Sequence, residues 1–321
     1  MERKRIDFID LAKIMTMMIV CYDHVCQNIS PVGAFDAVFF VGSISFHMPL
    51  FMVLSGMCFR FEKGTDCYKQ IHKRFMQLIV PALVWYFIQC ILFFKEPDIK
   101  SSFESYWFLT CLFICNIIFL IVHKFHRYLP LITCFIIPLI PYSSFVKVNF
   151  LLPYLLLGFY IRKYSSVFIT WHFGLISCIL FLILYQYWTF DYSVYVTPIK
   201  FIGENNILHV SLVALYRFII GALGSIFIIY LSQIMCKYII FNNVKKVLCY
   251  AGRHTLSIYI IHYVFLEVIR LYFKKHSING YYSIELLSFL LSILIICLCL
   301  IIDKILSKNR YFKLILLGKY K

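Results

Sequence analysis

The sequence predicts an all-α protein: a polytopic membrane bundle of about ten transmembrane helices with both termini in the cytoplasm. Three observations predict it. Of the 321 residues, 62% are hydrophobic and only 14% charged, which is far from the balance of a soluble domain. Uncharged apolar runs recur, as over 75–94 and 128–146, and roughly 20 such residues cross a bilayer as a helix. Lys and Arg gather on alternate connections, as the positive-inside rule requires.

The first span, 8–28, is apolar except for Asp10, Lys13, Asp23 and His24. The second, 36–59, contains "FHMPLFMVLSGM" with His47, Ser55 and Gly56. The third is 75–94. The fourth, 105–122, opens on Tyr106 and Trp107. The fifth, 129–146, carries Pro130, Pro138 and Pro141, and the sixth, 148–161, is short, so this pair is expected to be broken or tilted. The seventh is 166–188. The longest connection, 189–210, is polar enough to lie outside the bilayer. The eighth is 211–235. The ninth, 247–269, includes "AGRHTLSIYIIH", and the tenth is 286–303. An even number of spans returns the carboxyl terminus to the cytoplasm.

With the amino terminus inside, the inner connections hold most of the basic residues. They include Arg3, Lys4, Arg5, Arg60, Lys63, Lys73, Arg74, Arg127 and the Lys-rich carboxyl end through Lys321. The outer loops hold fewer, among them Lys95, Lys147 and Lys200, with Arg270, Lys274 and Lys275 against the trend. A net charge of +16 is therefore membrane topology and needs no nucleic-acid partner. The start, Met-Glu-Arg-Lys-Arg, is basic, but the segment after it is charged and lacks a small-residue cleavage site, so it is expected to stay as a permanent span. No repeat or soluble catalytic domain is visible, and residues 1–321 read as one membrane-embedded domain. The 13 cysteines form no Cys-x-x-Cys pair. They read as apolar filler, with neither a disulfide framework nor a metal site expected.

The ionisable groups of the first span need a reason, because charge at bilayer depth is costly and faces a bundle interior or a wet cavity. From Lys13 to His24 the chain makes three turns plus about 20° and rises roughly 16 Å. The two side chains share a face, and Asp10 lies close to it. Asp23 lies about 100° further round; it is a candidate to orient His24. The stripe would line an internal path from an acidic and basic mouth to an imidazole suited to proton transfer. Asp10 and Lys13 would equally serve as an interfacial anchor pair. His47, near mid-membrane on the second span, and His262, in the outer half of the ninth, are candidate lining residues with Ser55 and Tyr259.

These residues resemble the acyltransferase 3 family of bacterial integral-membrane acyltransferases. The resemblance is closest to the branch that O-acetylates sugars, including fucose 4-O-acetylase-like proteins. The blocks that carry it are "RIDFIDLAKIMTMMIVCYDH" (5–24), "FHMPLFMVLSGM" (46–57), "KRFMQLIVPALVW" (73–85), "YWFLTCLF" (106–113), "LPYLLLGFYIRKY" (152–164) and "AGRHTLSIYIIH" (251–262). The family's first span has Arg, ten residues, then His; here Lys13 takes the Arg position and His24 the His. Lysine keeps the charge without the planar fork. Where the family often has Arg-x-x-Arg, this chain has Arg74-Phe-Met-Gln77. Thr255 stands where Ser is usual. Many relatives carry a hydrolase-like domain beyond the membrane part, which this chain is expected to lack.

The resemblance implies an enzyme of the bacterial inner membrane that uses acyl-CoA, acetyl-CoA foremost, as co-substrate with no permanently bound cofactor. The acceptor would be a hydroxyl of a cell-surface or lipid-linked sugar. His24 would be catalytic, and Lys13, Arg60, Lys73 and Arg74 would meet the donor's phosphates. Asp10, Asp23, His47, Ser55, Trp107, Thr255, Tyr259 and His262 would line or support the path. Direct attack by the sugar and transfer through an acyl-histidine both remain open. A polysaccharide exporter is the alternative, since it too would need a polar path.

Overall fold

The structure is a computed structural model, and it describes residues 6–30, 37–61, 66–126, 128–136, 147–164, 170–195, 207–239, 241–275 and 281–319. Arg3, Lys4, Arg5, Lys63, Arg127, Pro138, Pro141, Lys200 and Lys321 of the sequence reading lie outside the described residues. The described residues form helices and turns without strands.

In chain order the helices are α1 (Asp7–Ile29), α2 (Val38–Ser43), α3 (His47–Cys58), α4 (Cys67–Leu92), α5 (Ile99–Ser105), α6 (Trp107–Phe125), α7 (Leu129–Ile136), α8 (Val148–Lys163), α9 (Trp171–Tyr185), α10 (Ile207–Ile234), α11 (Asn242–Arg253), α12 (Thr255–Phe273), α13 (Tyr281–Leu306) and α14 (Arg310–Ile315). Five helical stretches are long and apolar enough to cross a membrane: α4, α6, α10 with its continuation to Tyr238, α12, and α13 from Ser283. The first span has the length, as α1, but its polar residues keep it out of that set.

α1 sits at the centre, packed against α3, α10, α11, α12 and α13. Its apolar residues Leu11, Ala12, Met17, Val20, Cys21, Val25 and Cys26 are at most 1% exposed. A helix enclosed on so many sides can carry charge only where the bundle leaves polar space.

Two helices predicted as continuous are broken. The predicted 36–59 divides into α2 and α3 at Ile44–Phe46. There the Ser43 hydroxyl donates to Phe40 O (2.8 Å) and the Ser45 hydroxyl to Gly42 O (2.7 Å), local bonds that compete with the helical ladder. The predicted 247–269 divides at His254 (φ −106°, ψ 12°) into α11 and α12. Hydropathy runs through both breaks and hides them. The stretch 189–210, expected to lie outside the bilayer, packs in part against the bundle where it is described. Ser193 and Val194 are buried, and the Trp188 indole donates to Val41 O (2.9 Å); residues 196–206 lie outside the described residues. At the start of α5, Asp98 accepts from the Ser101 hydroxyl (2.7 Å) and backbone N–H (2.8 Å). These bonds hold its carboxyl below the usual carboxylate range. The cap fixes the turn from which Tyr106 and Trp107 enter α6.

The tail folds back beneath α4. The Trp85 indole donates to Leu316 O (2.8 Å), and Leu317 is fully buried. Gly318 adopts φ +62° against Gln77, a conformation that glycine alone takes freely. The Lys319 ammonium binds both oxygens of Asp303 (2.6 and 2.8 Å), and His254 Nδ1 is 2.6 Å from the same carboxylate. Asp303 is 0% exposed. Asp303→Ala should strip two basic groups of their shared acceptor and cost on the order of 1–3 kcal/mol. A lower melting temperature in detergent and new protease cleavage after α14 are the expected readouts; unchanged melting and cleavage would contradict the latch.

Candidate active site

Three cavities line up along α1. The chamber nearest its amino-terminal end, of about 300 Å³, is lined by Asp10, Lys13, Cys58, Arg60, Arg162 and Arg253. The middle chamber, of about 280 Å³, is lined by Lys13, Ser55, Arg74, Asn116, Thr255 and Tyr259, among others. The distal chamber, of about 170 Å³, is lined by Asp23, His24, His47, Trp107, Tyr195 and Tyr259, among others. Lys13 and Cys58 line both of the first two chambers, and Tyr259 lines both of the last two. The stripe read from the helical period therefore borders a series of cavities: cations at one end, imidazoles at the other, one tyrosine between.

The basic chamber holds four cationic side chains and one carboxylate. Asp10 is only 8% exposed and accepts from Arg253 Nε (3.2 Å), so its partner is Arg253 on α11. The interfacial pair with Lys13 weighed from sequence is replaced by this cross-helix bond. Arg74 reaches the middle chamber, its guanidinium carbon 5.3 Å from the Phe59 ring centroid. Of the four predicted donor-binding residues, Lys73 is not among those lining these chambers. Gly318 of the folded-back tail is one of the middle chamber's walls.

The distal chamber holds two of the candidate imidazoles, His24 and His47. His24 is partly buried; its ring centroid lies 5.6 Å from that of His262 and 5.5 Å from that of Tyr263. Asp23 turns to other partners than His24. The Ser43 hydroxyl donates to its Oδ1 (2.6 Å), and His47 Nδ1 lies 3.3 Å from its Oδ2. His47 Nδ1 is also 2.9 Å from Ser43 O. A carbonyl only accepts, so Nδ1 carries the hydrogen and Nε2 is left as the ring's acceptor in the neutral form. The carboxylate–imidazole pair at this site is thus Asp23 with His47. The His47 ring lies parallel to that of Tyr195 (2°, centroids 6.3 Å), and the Lys147 ammonium lies over Tyr195 (4.4 Å) and Trp107 (5.2 Å).

Sequence reasoning did not single out Ser43, Arg162, Tyr195 or Gly318. Each enters through tertiary packing, and none stands in a spacing that signals its role.

Taken together, the fold is a helical bundle with helices long and apolar enough to cross a membrane, and polar-lined cavities lie along α1 within it. The chain belongs to the acyltransferase 3 family: the family model, described as an acyltransferase domain, matches residues 6–303. No curated protein and no solved structure matches the chain.

Proposed function

We propose that this protein moves an acetyl group from cytoplasmic acetyl-CoA to a hydroxyl of a cell-surface or lipid-linked sugar, in a bacterial inner membrane that it crosses about ten times. The observation that carries the reading is the row of three chambers along α1, neighbours in which share Lys13 or Tyr259 as a lining residue. Acyl-CoA is polyanionic at one end and reactive at the other. Lys13, Arg60, Arg162 and Arg253 suit its phosphates, and the middle chamber suits the acyl-pantetheine arm. The thioester would then meet the acceptor in the distal chamber beside His24.

In the direct route His24 takes the proton of the sugar hydroxyl as the oxygen bonds to the thioester carbon. The C–S bond breaks, the thiolate of CoA leaves, and the proton returns to sulfur. In the covalent route the imidazole attacks the thioester carbon, the C–S bond breaks and the CoA thiolate leaves. The sugar oxygen then attacks the acyl-imidazole, the C–N bond breaks, and the hydroxyl proton passes to the released imidazole and from it to the thiolate. Both routes need an imidazole within hydrogen-bond reach of the acceptor. The aromatic faces of Trp107 and Tyr195 suit the apolar face of a sugar ring.

Membranes containing the protein, given radiolabelled acetyl-CoA, should label a glycan in a manner that depends on the protein. Unlabelled glycan relocated across the membrane would instead mark an exporter and end this reading. Lys13→Ala should raise the acetyl-CoA KM by about tenfold, the loss of one charge-assisted contact of roughly 1.4 kcal/mol. Lys13→Arg should keep the donor KM near the parent value, because charge is retained. A donor KM unchanged in Lys13→Ala would remove Lys13 from donor binding.

A further inference from the structure

His262 lies behind His24, and its environment is unusual. The residue is 0% exposed, and its Nδ1 is 2.6 Å from Tyr259 O. The carbonyl accepts, so Nδ1 holds the hydrogen and the neutral ring presents a lone pair at Nε2. That Nε2 is buried and has no hydrogen-bond partner among the described residues. Buried polar atoms are nearly always satisfied, and an exception calls for an explanation in function or in a missing partner. The imidazole ring nearest to it is that of His24, with centroids 5.6 Å apart.

The chemistry proposed for His24 creates the partner that His262 lacks. A neutral imidazole that takes a proton becomes a cation with two N–H donors. One faces the reacting oxygen; the other needs an acceptor, and water is scarce at this depth. Asp23 Oδ1 accepts from Ser43, and its Oδ2, 3.3 Å from His47 Nδ1, makes no hydrogen bond among the described residues. Near the pair are Gln27 of α1, which hydrogen-bonds the His24 side chain, Asp23 and Cys21 of the same helix, His47 of α3, Tyr106 just ahead of α6, Cys299 of α13, and Tyr259 and Tyr263 of α12 itself. The hydroxyl of Tyr106 is already bonded to Ile260 O (3.0 Å) and accepts from Gln89 (2.7 Å). Of these groups His262 is the imidazole whose ring meets that of His24 and whose fixed tautomer leaves an unpartnered acceptor.

We propose that His262 is a positioning residue for acyl transfer: its Nε2 accepts the hydrogen bond from the second ring N–H of His24 and stabilises the imidazolium as it forms. The proton taken from the sugar stays on His24 or is shared along this bond, and it returns to the departing thiolate. Nothing else is consumed. The bond shortens in the reacting complex, as catalytic hydrogen bonds commonly do. This inference rests on the proposed role of His24.

The test is His262→Met and His262→Gln, assayed in membranes with saturating acetyl-CoA and acceptor. Methionine keeps the volume and removes the strong acceptor; the glutamine amide oxygen restores one. His262→Met should lower kcat by about 10- to 100-fold, with both KM values near the parent, and His262→Gln should recover at least a third of the lost factor on a logarithmic scale. The acidic limb of the kcat profile should move to lower pH in His262→Met by about one pH unit, because the protonated form of His24 has lost a charge-assisted bond. Full kcat in His262→Met, or equal losses in both variants with the acidic limb unmoved, would overturn the role. If His24→Ala proves fully active, the reading of His24 itself fails; if His24→Ala is inactive while His262→Met is unimpaired, only this inference falls.

Discussion

His24→Ala should lower acetyl transfer by about 10²- to 10⁴-fold, the range for loss of a general base, while the protein still inserts and folds. The position favours this separation of effects. His24 is partly buried at the wall of the distal chamber, and its contacts are ring contacts to His262 and Tyr263 and a side-chain hydrogen bond with Gln27. Truncation to alanine enlarges a cavity that already exists. The fold around it is held by Asp23, Ser43 and His47 and by the apolar residues of α1, none of which changes. The expected result is an unaltered elution profile and melting temperature in detergent, near-normal donor binding, and little labelled glycan. A variant with full turnover would place the proton acceptor elsewhere. His47 would then be the residue to test, since it lines the same chamber and has a carboxylate partner.

Much of this site was legible in one helix. The angular relation of Asp10, Lys13 and His24 follows from the α-helical period, and an ionisable stripe in an apolar helix has to face polar space. What faces the stripe was not legible. The helical period already sets Asp23 about 100° round from His24, but its partners, Ser43 on α2 and His47 on α3, come from other helices and have no signal in the spacing. Arg253, which in the sequence is one more basic residue of an inner connection, closes on Asp10, and Lys319, in the Lys-rich carboxyl end, closes on Asp303. Lys95 does the same with Glu267 (2.9 Å). A charge count fixes a side of the membrane; it does not reveal which of those charges are committed to a partner. The helix breaks at 44–46 and 254 escaped for a related reason. Apolar composition continues across them, and the hydroxyl-to-carbonyl bonds that end the helix at Ser43 and Ser45 leave little trace in hydropathy.

The largest effect on folding is expected at Gly158. α3 and α8 cross so closely that their backbones touch at two glycines. A Cβ added to Gly158 would stand 1.9 Å from Val53 O, and one added to Gly56 would stand 1.9 Å from Leu155 O. Carbonyl oxygens at that distance cannot be moved aside by a change of rotamer, so the helices themselves must separate. Within a membrane such pairs are held by van der Waals contact between small residues, without a hydrophobic drive to restore a loosened seam. Overpacking costs about 1–3 kcal/mol where side chains can adjust, and more where they cannot. Gly158→Leu should therefore abolish the monodisperse folded protein, and Gly158→Ala should lower its melting temperature measurably. Activity should fall further than stability in Gly158→Ala, because α3 carries His47 to the distal chamber and Ser55 to the middle one. Gly42→Ala is the control: its Cβ would meet only the side chain of Tyr185, at 3.0 Å from the hydroxyl oxygen, and that ring end can yield. Comparable melting temperatures for Gly158→Leu and Gly42→Ala would show that the crossing is looser than the backbone contact implies.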